Sequence, residues 1–305
     1  MRQCLAGGPV TRTCVLGFAL ALRAPTGLSA QHVDYNIPYQ PTATVEQHLD
    51  LYAPPAATHA PVVLFIHGGS LEEAGERRRS PMYAPVCPGL VARGMVCATT
   101  DYRLSPSYQW PAMPEDVAAA VRWLKDSVAA HGGDPTRIFL VGHSSGCFLA
   151  TLVALDSIYL AQSGLKTDAV AGVVAMGCTL APWDTTGKGL SPAKLAQQFA
   201  RDDADRQVYG TLAWRLRANP SAWVGPTAPP VLVLVAESER FFPSILEEGA
   251  HFVCLMREHR RPADIRILPG RRHITTTTGF QDPADAVANL VAQFVRDPRA
   301  TTATP

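Results

Sequence analysis

The sequence predicts an α/β fold, with one mostly parallel sheet covered by helices on both faces. Short β-rich apolar runs alternate with stretches of helical periodicity along most of the chain, the order expected of such a sheet. The runs are apolar almost continuously, not at every second position, as strands buried on both faces must be. At 305 residues, 47% of them hydrophobic, the chain has enough apolar surface for one large core. The formal net charge of +1 shows no bias toward nucleic acid, whose binders carry a basic stripe, so no nucleic-acid partner is expected. A phosphate-cradling Gly-rich loop with its Lys, and His or Cys pairs at metal-ligand spacing, are not found in the sequence; no cofactor and no metal is expected.

Taken in order, residues 1–30 read as a secretory leader. Arg2 and Arg12 precede an apolar stretch at 14–22, and a short polar segment ends in Leu28-Ser29-Ala30. A basic region, an apolar region and a small-residue site describe a signal peptide cleaved after Ala30, which implies a secreted or periplasmic protein. The apolar part is shorter than the ~20 residues that span a bilayer, and no later stretch is long and apolar enough to anchor the chain. Without the leader, Cys87, Cys97, Cys147, Cys178 and Cys254 remain. An odd number cannot all pair, so at least one thiol stays free. Cys97, Cys147 and Cys178 lie in core-like segments, where cysteine is usually a small hydrophobe; disulfides are possible, but the fold is not expected to depend on them.

Residues 31–300 read as a single domain. Residues 31–60 form an opening strand or hairpin and a Pro- and Ala-rich loop. The apolar runs are 62–66, 95–100, 138–141, 170–175, 231–236 and 265–268. Pro114-Glu115-Asp116 opens a helix in which Val117, Ala120, Val121, Leu124 and Val128 share one face at 3.6-residue spacing. Gly132 and Pro135 end it. Further helices are predicted over 244–257 and 283–294. Residues 181–230 exceed an ordinary connection of ~4–6 residues and read as a small cap-like insertion over the site. Ser191-Pro192 starts a helix there, and Trp183, Trp214 and Trp223 are candidates either for cavity walls or for the insertion's own packing. Residues 301–305 read as a disordered tail.

Gly142-His143-Ser144-Ser145-Gly146 matches G-x-S-x-G. A predicted strand runs directly into it and a predicted helix directly out of it, the strand–tight turn–helix of a nucleophile elbow. The turn is too tight for neighbouring Cβ atoms, hence the glycines, and the helix N-terminus favours the negative charge of acyl transfer. Ser144 is therefore the candidate nucleophile. An oxyanion needs backbone N–H donors: Ser145 for one, with others from Gly68, Gly69 and Ser70, since the run 62–66 leads straight into His67-Gly68-Gly69-Ser70. His67 is expected to brace that loop by hydrogen bonding. Of the nine histidines, His273 alone sits in a loop directly after a late strand and is the candidate base; His143, His251 and His259 are taken as structural or surface residues. The orienting acid should follow the run 231–236. Glu239 lies further into that loop, where a carboxylate can turn toward imidazole Nδ1, and is preferred; Glu237 is the alternative.

Together with Leu49-Asp50-Leu51-Tyr52, Asp101-Tyr102-Arg103-Leu104-Ser105-Pro106, Pro114-Glu115-Asp116 and Gly270-Arg271-Arg272-His273, these segments make the chain resemble α/β-hydrolase esterases of the hormone-sensitive-lipase and BD-FAE (feruloyl and acetyl-xylan esterase) type. The resemblance implies an α/β-hydrolase fold and a triad of Ser144, Glu239 and His273. It also implies oxyanion donors at Gly69, Ser70 and Ser145, and a bracing turn at 101–106. Departures from the family pattern are Ser70 for a third glycine or an alanine, Leu71 for an aromatic, Ser145 for alanine and Glu239 for the more frequent aspartate. The activity implied is hydrolysis of short acyl or aryl carboxylic esters through an acyl-enzyme, with a small-molecule ester or an esterified polysaccharide as partner. An arylformamidase or amidase on the same machinery and a catalytically inactive binding protein are the alternatives; fold alone does not choose among them. His273 must be neutral to act as base, so activity is expected to fall once it is protonated.

Overall fold

A computed structural model describes residues 31–72, 77–180 and 192–302. The proposed leader and Trp183 lie outside those residues. An eight-stranded sheet has the order β1-β2-β4-β3-β5-β6-β7-β8. Its strands are β1 (His32–Pro38), β2 (His48–Ala53), β3 (Ala60–Ile66), β4 (Val96–Thr100), β5 (Gly133–His143), β6 (Gly172–Met176), β7 (Val231–Ala236) and β8 (Ala263–Leu268). The hairpin strands β1 and β2 pair antiparallel, as do β2 and β4. Every pairing from β4 through β8 is parallel. Each apolar run read from the sequence is a strand, and β5 is longer than its run because Gly133 pairs with Ala60 ahead of the apolar segment.

The helices are α1 (Val86–Val91), α2 (Ala112–Ser127), α3 (Ser145–Leu155), α4 (Ser157–Gln162), α5 (Pro192–Arg201), α6 (Asp203–Tyr209), α7 (Leu212–Arg217), α8 (Pro243–Glu258), α9 (Ala286–Arg296) and α10 (Pro298–Thr302). Side chains alternate across a strand, and this divides the core in two. Val62, Leu64 and Ile66 of β3 pack with Val117 and Leu124 of α2, Leu149 and Val153 of α3, and Phe252 of α8. Val63 and Phe65 face the other way, toward Leu90 of α1 and Val291 and Phe294 of α9. A sheet covered on both faces leaves only its edges open. The loops at the carboxyl ends of β3, β5, β6, β7 and β8 lie at one end of the sheet, where open α/β sheets bind their ligands.

Two expectations need correction. The tail does not begin at 301: Thr301 and Thr302 are buried in α10, and their hydroxyls donate to the carbonyls of Asp297 (2.9 Å) and Pro298 (2.7 Å). Residues 303–305 lie outside the described residues. Nor are the core cysteines lone hydrophobes. Cys87 of α1 is bonded to Cys97 of β4, and Cys147 of α3 to Cys178 beyond β6. The packed elements bring their Cα atoms to 5.2 and 5.9 Å, within the range a disulfide spans; spacing along the chain carries no such information.

Candidate active site

Ser144 stands between β5 and α3 with φ 55° and ψ −129°, a left-handed conformation rare for a residue bearing a Cβ. The surroundings impose it. A Cβ on Gly142 would lie 2.2 Å from the carbonyl oxygen of Gly146, and one on Gly146 would lie 2.2 Å from that of Ile66. The first glycine lets the chain fold back on itself; the second lets α3 sit against β3. The result holds Ser144 at the head of a helix whose first N–H groups have no intrahelical acceptor.

The loop after β3 lines the same cavity as Ser144, through Ser70 and Leu71. Gly69, Ser70 and Leu71 all have positive φ, at 129°, 60° and 64°. Among the described residues no acceptor takes the N–H groups of Gly69, Ser70 or Ser145. Gly68 differs, and this corrects the sequence reading. Its N–H donates to the hydroxyl of Tyr83 at 3.0 Å and so is turned away from any oxyanion. A Cβ at Gly68 would lie 2.7 Å from Ser144 Cβ, so the glycine is needed for close approach. His67 is buried behind the loop, its ring stacked on Tyr102 at 4.4 Å and its Nε2 3.2 Å from Asp101 Oδ1. Asp101 also pairs with buried Arg78 and accepts the N–H of that residue, which ties the 77–83 segment to the loop.

His273 follows β8. Its Nδ1 is bonded to Glu239 Oε1, and Glu239 Oε2 accepts the N–H of Ala236 at 2.6 Å. Glu239 is buried at 2% exposure because the 3-10 turn Glu237–Phe241 folds it back over the end of β7. Glu237 points elsewhere and accepts the N–H of Gly270 at 2.7 Å. With Nδ1–H given to the carboxylate, the other ring nitrogen is left without a proton and can accept one from a hydroxyl. Gly177, at the end of β6 with φ 63°, makes room: a Cβ there would be 2.6 Å from Glu239 Oε1 and 3.1 Å from His273 Nδ1. Nothing in the sequence marks Gly177, since the need for it exists only once three loops meet.

Ser144, Ser145, Ser70 and His273 line one cavity of about 340 Å³. Its apolar wall includes Leu71, Phe148 and Ile245. Among the described residues of the 181–230 segment, Tyr209 and Arg215 reach the cavity, and Trp214 and Trp223 do not. Trp223 donates to the carbonyl of Arg217 at 3.0 Å and lies under that guanidinium, while Trp214 packs against the core. Among the described residues no group of three or more His, Cys, Asp or Glu side chains could hold a metal ion, and no helix is long and apolar enough to cross a membrane.

Residues 49–245 match the family model BD-FAE. The chain belongs to the BD-FAE family. Within the match lie the loop after β3 and the turn that carries Ser144; His273 lies beyond it, after β8, the strand that completes the sheet. This BD-FAE chain is 29% identical over 267 residues to Esterase LipQ of Mycobacterium tuberculosis, covering 86% of this chain and 61% of LipQ. It thus spans less than two thirds of that relative. Among solved structures it resembles a truncated carbohydrate esterase from gut microbiota, with a TM-score of 0.69 at 16% identity over 89% of this chain and 98% of that one. It also resembles esterase Est2 of Thermogutta terrifontis with butyrate bound, with a TM-score of 0.69 at 20% identity over 88% and 94% of the two chains. These likenesses speak to the fold, which is that of the α/β hydrolases.

Proposed function

We propose that this protein is a carboxylic ester hydrolase that works through an acyl-enzyme on Ser144. The observation that carries the reading is the buried Glu239 carboxylate bonded to Nδ1 of His273, beside a serine held at a strained elbow in the same cavity. In the reaction, His273 takes the proton of Ser144 as its oxygen attacks the ester carbonyl. The carbonyl oxygen becomes an oxyanion facing the N–H groups of Gly69, Ser70 and Ser145. His273 then gives the proton to the departing alcohol, and water repeats the cycle on the acyl-enzyme. Esterase LipQ, the carbohydrate esterase and Est2 bear names that support this chemistry.

The substrate reading is a short acyl or aryl ester, either a small molecule or the substituent of a polysaccharide. A cavity of about 340 Å³ lined by Leu71, Phe148 and Ile245 supports a small acyl group. Phe241 and Phe242, 79% and 59% exposed, follow Glu239, and Ile274, 54% exposed, follows His273; such apolar surface suits an aryl group. Export is part of the same proposal, supported by the Cys87–Cys97 and Cys147–Cys178 disulfides, which persist in oxidising compartments.

The test is hydrolysis of p-nitrophenyl esters of increasing acyl length, beside acetyl-xylan and methyl ferulate. Ser144→Ala should lower kcat by ~10⁴-fold or more and abolish labelling by a fluorophosphonate. Ester hydrolysis that survives in the purified variant would overturn the assignment. Export is checked by fractionation, with the protein expected outside the cytoplasm.

A further inference from the structure

Tyr83 and His143 take no part in the chemistry above, yet both are buried against it, at 5% and 1% exposure. His143 Nε2 lies 2.9 Å from the carbonyl oxygen of His273. A carbonyl can only accept, so Nε2 carries the proton. Nδ1 of the neutral ring is then an acceptor, and the Tyr83 hydroxyl, 3.0 Å away, must donate to it. The same hydroxyl accepts the N–H of Gly68 at 3.0 Å. Each bond in this chain has one possible polarity once the ring is neutral. Burial first, and the nearby His273 second, push the His143 ring down to about 4, in keeping with that neutral state.

We propose that Tyr83 and His143 are positioning residues, a hydrogen-bonded relay that fixes the oxyanion loop and the base loop relative to Ser144. The inference rests on the ester-hydrolase reading. The relay begins at Gly68, next to the donors Gly69 and Ser70. It passes through the residue directly before the nucleophile and ends on the main chain of the base. Three loops, after β3, β5 and β8, are thereby tied by groups that face away from the cavity. The imidazole rings of His143 and His273 pack at 4.5 Å between centroids, so a shift of one is felt by the other. Since a misplacement of about 1 Å costs on the order of 10²-fold in rate, a relay that only holds distances has a kinetic signature.

The experiment uses the full chain with Tyr83→Phe, His143→Leu, His143→Gln and the double variant Tyr83→Phe/His143→Leu, assayed on p-nitrophenyl butyrate. Tyr83→Phe and His143→Leu should each lower kcat by about 10–100-fold with KM within about twofold, the mark of groups acting on the transition state alone. The double variant should fall little below the worse single one, because either change breaks the same chain. His143→Gln, whose amide can both donate and accept, should recover part of the loss. A kcat within twofold of wild type for Tyr83→Phe, or losses that multiply in the double variant, would overturn the relay. Nitrogen NMR of histidine-labelled wild-type protein tests the polarity with no substitution: His143 should carry its proton on Nε2, and a proton on Nδ1 refutes the relay even if the variants do not fold. If wild type neither hydrolyses esters nor labels at Ser144, the function fails while the tautomer result still stands.

Discussion

The loops at the carboxyl edge of the sheet and the helices α6 and α7 line one cavity, but they are held by different forces. In the loops, the groups are held by hydrogen bonds to buried partners: Glu239 to the N–H of Ala236 at the end of β7, His273 to Glu239, Gly68 to Tyr83. In the helices the hold is uneven: Tyr209 of α6 is buried and packs on Trp110 at 5.2 Å, while Arg215 of α7 is held by charge and ring contacts. Arg215 pairs with Asp205 at 2.8 Å and lies 4.6 Å over the ring of Tyr209, and α7 buries no residue. Bonds that must be rigid are built into the core, where desolvation makes a lost partner costly. Tyr209 and Arg215 line the same cavity from a segment outside the sheet. The comparison predicts large kinetic effects from the first region and small, substrate-dependent ones from the second.

The sharpest form of that contrast lies within a single turn. Glu239 and Glu237 are two residues apart, and only Glu239 is buried against His273. Glu239→Gln removes the carboxylate that selects the imidazole tautomer and should lower kcat by ~10³–10⁴-fold. Glu237→Gln leaves the Glu239–His273 bond intact and loosens only its own bond to Gly270; kcat should stay within ~threefold. Steady-state kinetics of both variants on one ester decides the matter, and equal losses would reject the assignment of the acid.

A second measurement probes the rigid region through stability. His143 is held near 4, mainly by burial and next by His273, against an ordinary value of 6.5. Glu239, drawing the other way, and the neutral Tyr83 also face it. Above pH 6.5 the ring is neutral in the folded and unfolded chain and has no effect on their balance. As the pH falls from there toward about 4, the unfolded chain binds a proton that the folded one refuses. Stability is therefore lost on acidification, by about 3 kcal/mol across that window. His143→Gln has no such proton. Its denaturant midpoint, followed from pH 7 to pH 4, should decline less than that of wild type; parallel declines would mean that the ring titrates freely.

What could be read from the sequence, and what could not, follows the same division. Ser144 and His273 were legible because each is announced by its neighbours: glycines at fixed offsets around one, a late strand before the other. The six parallel strands were legible from unbroken apolar runs such as Val231–Ala236. Glu239 could be preferred over Glu237 but not separated from it, since the turn that buries one and not the other forms only against β7. Tyr83, Gly177 and the direction of the Gly68 N–H were invisible. Each has meaning only through residues that the fold brings close, 15 positions away for Gly68 and Tyr83 and 60 for Tyr83 and His143. The disulfide partners were hidden because only the fold brings them together, and of the two readings open for the tryptophans, Trp214 and Trp223 take that of packing.

The smallest expected effect belongs to the segment above the cavity. Arg215→Ala removes the pairing with Asp205 and the stacking on Tyr209 together, contacts worth about 1–2 kcal/mol in sum. Since the hydrogen bonds of Glu239 and His273 do not involve Arg215, kcat on a short acyl ester should change by less than ~threefold, while KM rises several-fold on longer acyl or aryl esters that would reach the Tyr209 and Arg215 part of the cavity lining. The informative quantity is the ratio of kcat/KM values for a long and a short ester in wild type and variant. A ratio that moves while kcat holds assigns substrate choice to α6 and α7. A fall in kcat alike for every ester would mean instead that the segment props the catalytic loops, and that the two regions are one mechanical unit.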